Sequence, residues 1–265
     1  MSPSSKHARD AARARAERQA AKRAAAIKRR RQIQAGIAGG VVLLLIIVLL
    51  AVNLSGGKKK SNDTLTASTP SSSAAPVAAG DCRYTGSPAK AVRDVGTPPA
   101  TPAHKLVTAT LKTSVGTIAF TMDGTKAPCT ANAFTYLASK KYFDDTPCHR
   151  LTTSGIFVLQ CGSPDGSGNG GPGFQYPDEN LTAFGSGTSV IYPKGTIAMA
   201  NSGAGTNGSQ FFLVYKDSPL APSYTPLGTI TQGLDLIEKV AAAGIDPAKD
   251  PAPKMAVTIQ TFTVS

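Results

Sequence analysis

Tryptophan is absent from the 265 residues, and histidine occurs only three times, at His7, His104 and His149. So few imidazoles exclude a histidine-rich metal centre. The chain also lacks H-E-x-x-H, a G-x-x-x-x-G-K-[ST] phosphate loop and a G-x-S-x-G nucleophile elbow. Its chemistry is therefore expected to use no bound metal, no cofactor and no activated serine. Glycine and proline are plentiful instead, with 26 and 19 residues, above their usual combined share of about 12%. That excess favours many turns, and hence short strands and loops over a bundle of long helices.

The net charge of +12 belongs to one end of the chain. Residues 1–31 carry eleven Lys or Arg against Asp10 and Glu17, and Lys58, Lys59 and Lys60 add three more. From residue 61 onward, basic and acidic residues balance at 14 each. The C-terminal part thus lacks the bulk attraction that nucleic-acid binding needs, and no nucleic-acid partner is expected. Between the basic blocks lies Ala35–Leu54, AGIAGGVVLLLIIVLLAVNL, 20 residues without a charge. At about 1.5 Å per residue such a helix spans the roughly 30 Å hydrocarbon core of a bilayer. The run is long for a cleavable signal, and Val-Asn-Leu-Ser-Gly-Gly is a poor cleavage site. The expectation is an uncleaved transmembrane helix over 35–54. By the positive-inside rule, the basic tail 1–34 stays in the cytoplasm and everything after residue 55 lies outside the plasma membrane. The tail is rich in Ala and Arg without a large apolar face, which suits a topology signal in loose contact with anionic lipid.

Residues 55–105 are dominated by Ser, Thr, Ala, Pro and Gly, a composition that cannot bury a core, and read as a tether. Asp81-Cys82-Arg83-Tyr84 interrupts it as a segment able to dock onto the domain that follows. All four cysteines, Cys82, Cys129, Cys148 and Cys161, fall on the outer side of the span and form no C-x-x-C pair. An even count in an oxidising compartment implies two disulfides, with three connectivities open. If Cys148 and Cys161 flank one hairpin they pair, leaving Cys82 to fasten the tether to Cys129.

Residues 106–265 form the globular part. Leu106–Thr113 and Gly116–Met122 alternate apolar and polar residues across a Ser114-Val115 turn, the pattern of an antiparallel hairpin. Pro128 opens a helix to about Ser139. Leu151, Ile156–Gln160, Thr196–Ala200, Phe211–Tyr215, Leu227–Ile230 and Ala256–Val264 read as strands. Gly233–Ala243 is a second helix with Leu234, Ile237, Val240 and Ala241 facing inward. Many short strands with one early and one late helix give a mainly β fold, a barrel with helical lids. The stretch GSGNGG at 166–171 fits G-x-G-x-x-G, but Pro172-Gly173 follows where a helix would be needed, so it is a loop.

Three segments carry the chemistry: Cys148-His149-Arg150-Leu151, Phe157-Val158-Leu159-Gln160-Cys161-Gly162, and Met199-Ala200-Asn201 continuing to Thr206-Asn207-Gly208-Ser209-Gln210-Phe211-Phe212. Together they supply one cation, amides and aromatics, with no acid, base or nucleophile. Such a site holds an uncharged, partly apolar ligand and redistributes hydrogen bonds. Isomerising an X–Pro bond asks for that, since only amide resonance sets its barrier of about 18–20 kcal/mol.

In these segments the sequence resembles the cyclophilin-type peptidyl-prolyl cis-trans isomerases over roughly residues 106–265. The anchor and tether resemble membrane-attached members of actinobacterial type. The resemblance implies an eight-stranded antiparallel β-barrel capped by two helices. It also implies prolyl isomerase activity on exported, proline-containing polypeptides, with no cofactor. By position, Arg150 matches the catalytic arginine that donates to the prolyl nitrogen, and Gln160 the glutamine that holds the neighbouring substrate carbonyl. Asn201, with Ala200 beside it, matches the residue that offers backbone hydrogen bonds to substrate. Gln210 supports the arginine, and Phe157, Val158, Phe212 and Leu220 line the proline pocket, with Tyr224 at its rim where the family has a histidine. His149 is expected to be structural. The chain departs from the family in placing two extra residues between Arg150 and Phe157, which would shift the arginine's bend. The family's ligand-binding tryptophan falls near Pro219, so weak cyclosporin binding is expected. A charge-balanced domain on a tether is expected to be monomeric. Two other readings cover less: a cyclophilin-like module that binds proline segments without turnover, and an adaptor acting through residues 1–31.

Overall fold

The computed structural model describes residues 80–88, 91–249 and 251–265. The expected tail, membrane span and most of the tether lie outside them, and no helix among the described residues is long and apolar enough to cross a membrane. In chain order the elements are β1 (Thr85–Gly86), β2 (Leu106–Thr113), β3 (Gly116–Asp123), α1 (Pro128–Ser139), β4 (Thr146–Pro147), β5 (Arg150–Leu151) and β6 (Val158–Cys161). There follow β7 (Phe174–Gln175), β8 (Val190–Tyr192), β9 (Thr196–Met199), β10 (Phe211–Val214), β11 (Ser218–Leu220), β12 (Pro226–Gln232), α2 (Leu234–Ala243) and β13 (Thr258–Val264).

Nine strands form one sheet in the order β4-β13-β2-β3-β12-β9-β10-β6-β5, and every pairing in it is antiparallel. Its two ends, β4 and β5, are separated in the chain only by Cys148 and His149. At about 3.8 Å between consecutive Cα atoms, so short a link forces the two ends together, and the sheet curls back on itself. With Thr146–Leu151 counted as one interrupted strand, the sheet has the eight strands the resemblance implies.

The interior follows from strand alternation. Val107, Ala109, Leu111 and Thr113 of β2 point inward while their neighbours face out. Helix α1 closes one mouth with Ala133, Phe134 and Leu137, all fully buried. The Phe134 ring meets those of Phe143 at 5.4 Å, Phe211 at 5.5 Å and Phe262 at 6.1 Å. Such aromatic pairs add about 0.5–1.5 kcal/mol each beyond area burial. The first turn of α1 has no acidic residue and no side-chain cap of its own. Glu179 supplies both from a distant loop, accepting from the backbone N–H groups of Cys129 (3.0 Å) and Thr130 (2.8 Å). Helix α2 turns Ile237 and Val240 inward, with Leu234 and Ala241 half-buried beside them.

Both disulfides are formed, Cys82–Cys129 and Cys148–Cys161, in the pairing the hairpin argument favours. Residues 80–88 and 91–105, expected to belong to the tether, lie along the barrel as an arm. Strand β1 pairs with β7. Tyr84 sets its ring edge-on against Phe174 and Tyr176, 5.5 Å from each, and its hydroxyl donates to Cys129 O (2.7 Å). The Arg93 guanidinium donates to Tyr142 O (2.8 Å) and Asp144 O (2.7 Å). Asn132 Nδ2 donates to Pro99 O (2.7 Å). This segment builds no core of its own; it borrows surface and unpaired carbonyls from the barrel, and composition does not report that.

Candidate active site

Strand register assembles the site on the outside of the barrel. Arg150 of β5 lies opposite Gln160 of β6, Gln160 opposite Phe212 of β10, and Phe212 opposite Ala198 of β9. Directly opposed residues share a face, so these four form a row across the sheet. Phe211 and Leu213 belong to the interior, whereas Phe212 and Val214 join a second apolar cluster with Val158, Val190, Tyr192 and Ala198. Ala200, Leu220 and Tyr224 pack against that cluster. Its far wall is the two-stranded sheet of β8 and β11, which sequence pattern alone did not reveal. The Tyr224 ring stands edge-on to Phe212 at 5.6 Å. Beneath it, Tyr192 donates its hydroxyl to Tyr224 O (2.7 Å); burial raises the Tyr192 pKa, which keeps that donor protonated. The five residues Val158, Ala200, Phe212, Leu220 and Tyr224 thus come together in one apolar cluster, the candidate proline pocket.

At the edge of the pocket runs a relay of side chains. Arg150 Nη1 donates to Gln160 Oε1 (3.1 Å), Gln160 Nε2 to Gln210 Oε1 (3.0 Å), and Gln210 Nε2 to the carbonyls of Gly168 (2.9 Å) and Gly170 (3.1 Å). Carbonyls only accept, so the Gln210 NH2 group must face the glycine loop and its oxygen must face Gln160. That in turn points the Gln160 oxygen at Arg150. Two backbone carbonyls therefore dictate the orientation of both amides. Gln160 Nε2 carries two hydrogens, and one remains for a ligand carbonyl. The loop is itself held by Asp165, whose Oδ1 accepts from Ser163 Oγ (2.9 Å) and Ser167 N (3.0 Å). A cavity of about 270 Å³ opens beside the relay, bounded by Gln160, Ala200, Asn201, Gln210 and, from the arm, Ser87 and Pro88.

Asn201 is fixed by its side chain, which donates to Ser223 O (2.7 Å) and Asp178 Oδ1 (3.3 Å). Its backbone N–H and C=O have no partner among the described residues, which suits them to pair with an extended peptide. Asp178 also receives Gly205 N (2.8 Å) and Asn207 Nδ2 (3.0 Å) and so organises the whole 201–207 loop. Asp178 and the two glycine carbonyls escaped sequence reasoning, because neither a lone acid nor a backbone oxygen leaves a motif.

Phe157 does not join the pocket. Its ring lies 6.0 Å from Tyr215 under the Lys216 ammonium and packs against the interior cluster. The residue is one position out of phase with Val158 and Gln160, and strand alternation turns it to the other side. The two extra residues after Arg150 lie in a turn in which Ser154 bridges Ile156 around Gly155, while Thr152 N bonds Val158 O and Arg150 pairs opposite Gln160. His149 makes no hydrogen bond through either buried ring nitrogen. Among the described residues no group of three or more His, Cys, Asp or Glu is arranged to hold a metal ion.

This fold and site are those of a known class of protein. Residues 108–264 match the cyclophilin type peptidyl-prolyl cis-trans isomerase family, and the chain belongs to it. It is 45% identical over 193 residues to the probable peptidyl-prolyl cis-trans isomerase B of Mycobacterium tuberculosis, covering 68% of this chain and 62% of that protein. Identity to the Mycobacterium leprae protein of the same description is 43% over 196 residues, 69% of this chain and 66% of that one. The chain therefore spans less than two thirds of the length of these relatives. A crystal structure of a Cryptosporidium parvum cyclophilin type peptidyl-prolyl cis-trans isomerase shares the fold with a TM-score of 0.51 at 24% identity, covering 60% of this chain and 98% of that one.

Proposed function

We propose that the chain is a peptidyl-prolyl cis-trans isomerase acting on exported polypeptides outside the plasma membrane. The observation that carries this reading is the Arg150 guanidinium, held by an amide of fixed orientation at the edge of an apolar pocket floored by Phe212. A prolyl ring in that pocket brings its nitrogen to the guanidinium. Donation to that nitrogen as it pyramidalises favours the twisted, single-bond state over the planar amide. The spare hydrogen of Gln160 takes the substrate carbonyl, and the Asn201 backbone pairs with the residues before proline. Uncatalysed exchange takes tens to hundreds of seconds, slow enough to limit folding of an exported chain.

Two disulfides support an oxidising, extracytoplasmic setting for the domain. The apolar run 35–54 between basic blocks supports a single-pass anchor, with the basic end in the cytoplasm. The test of activity is a protease-coupled assay of X–Pro exchange with the full chain in detergent micelles. Acceleration above the buffer rate is expected. No acceleration, with proline peptides still bound, would make it a binding module. For the location, added protease should remove residues 106–265 from intact cells and leave the basic tail protected.

A further inference from the structure

We infer that the N-terminal arm is a positioning element of the active site, with Val92 as the residue through which it acts. The inference rests on the isomerase reading above. The arm runs beside the 170–175 segment and grips it along its length: Thr85 and Gly86 pair with Gln175 and Phe174, Ser87 N donates to Gly173 O (2.9 Å), and Val92 N donates to Gly171 O (3.1 Å). Contact is tightest at Gly170, where an added Cβ would stand 2.0 Å from Val92 Cγ2. Gly170 is also one of the two residues whose carbonyls orient Gln210, and through it Gln160 and Arg150. A continuous physical chain thus leads from Val92 to the Arg150 guanidinium. The arm in turn is anchored away from the site by Cys82–Cys129 and by Arg93 on the Tyr142 and Asp144 carbonyls. The glycine loop's own hydrogen bonds stop at Asn169: Asp165 holds Ser163 and Ser167, Gly168 N donates to Ser163 Oγ (3.2 Å) and Asn169 N to Ser167 Oγ (3.1 Å), all within its first half. The arm supplies the second half of the brace. The apolar pocket around Phe212 contains no arm residue, so substrate affinity through proline does not depend on it.

This makes a specific kinetic prediction for the full chain. Val92→Ala should lower kcat about tenfold, the scale of a sub-ångström misplacement of catalytic groups, with KM nearly unchanged. The Cys82→Ser/Cys129→Ser pair should do the same by slackening the arm. Val92→Thr, which keeps the branched shape, should retain the wild-type kcat. Gly170→Ala should lower kcat by collision with Val92, and adding Val92→Ala should restore part of the loss. A second readout is independent of turnover: the side-chain amide NMR signals of Gln160 and Gln210 should shift or broaden in Val92→Ala. A wild-type chain without turnover would sink the isomerase reading and leave this spectroscopic arm intact. Unaltered amide signals, or kcat within twofold of wild type in both Val92→Ala and the cysteine pair, would overturn the inference, as would an effect confined to KM.

Discussion

Replacing Arg150 tests the mechanism at its centre. The guanidinium uses one N–H on Gln160 Oε1 at 3.1 Å, and in the proposed mechanism the rest of its planar fork serves the prolyl nitrogen. Arg150→Lys keeps the charge on a single ammonium that cannot serve both directions with the same geometry. Arg150→Ala removes charge and donor together. Deleting one preorganised donor to a reacting atom typically costs about 2.7–4 kcal/mol, or about 10²–10³ in rate. We expect Arg150→Ala to lose that much kcat/KM, and Arg150→Lys at least about tenfold, which is about 1.4 kcal/mol. The pocket is untouched by either change, so KM should move less than kcat. Arg150 is half-buried at the edge of the sheet, so both variants should fold, as circular dichroism would verify. Rates are best read by the protease-coupled assay beside NMR exchange on one X–Pro peptide. Wild-type kcat/KM in a folded Arg150→Ala protein would refute the role given to the guanidinium.

Phe212→Ala should act oppositely, raising KM more than it lowers kcat, because the ring floors the pocket and donates nothing; a pure kcat effect would contradict this. His149 should make stability pH-dependent. Burial first, then the Arg150 guanidinium, lower its pKa below the ordinary 6.5 against an opposing pull from Asp165. The unfolded chain then takes up a proton that the native one refuses, so His149's contribution is complete above about pH 6.5 and falls away as the pH drops. The urea midpoint should therefore decline between pH 7 and 5 more steeply in wild type than in His149→Gln, and equal slopes would refute it. The native protein should show no free thiols. Reduction should cost about 4 kcal/mol for the Cys82–Cys129 loop of 47 residues and about 3 kcal/mol for the Cys148–Cys161 loop of 13. Four titratable thiols in the native protein would count against that. Cyclosporin should inhibit weakly, since Pro219 has no N–H to replace the indole donor; losing one such contact costs about 1–3 kcal/mol, and nanomolar inhibition would contradict it.

The elements legible in the sequence are those with a period long enough to read. The hairpin of β2 and β3 spans eight residues on each side and α1 twelve, with Pro128 marking its start, and all three fall where the pattern puts them. The strands that escaped notice, β1, β4, β7, β8 and β11, are two or three residues long. No alternation can be seen in so few positions, and their pairing is imposed by neighbours. Yet β8 and β11 wall the pocket, and β1 begins the brace on the glycine loop. The arm's Pro-, Ala- and Thr-rich composition correctly reports that it has no core. It is silent on whether another surface will hold it.

The motif around Gln210 shows how strand parity divides its side chains between core and candidate site. Along 209–214 the side chains alternate between two destinations. Ser209 donates inward to Gly162 O at 2.7 Å, and Phe211 and Leu213 lie in the interior. Gln210, Phe212 and Val214 face the relay and the pocket. A single run of residues thus builds the core with one parity and the site with the other. The neighbouring strand β6 obeys the same rule in register with it, since Gln160 lies opposite Phe212 and Cys161 opposite Phe211. Parity counted from Gln160 puts Val158 and Ile156 on the site face and sends Phe157, Leu159 and Cys161 inward. The motif places Phe157 in the pocket, whereas the pleat turns it toward the interior cluster. Arg150 keeps the parity of Gln160 whatever the length of the turn between them, because β5 pairs directly with β6.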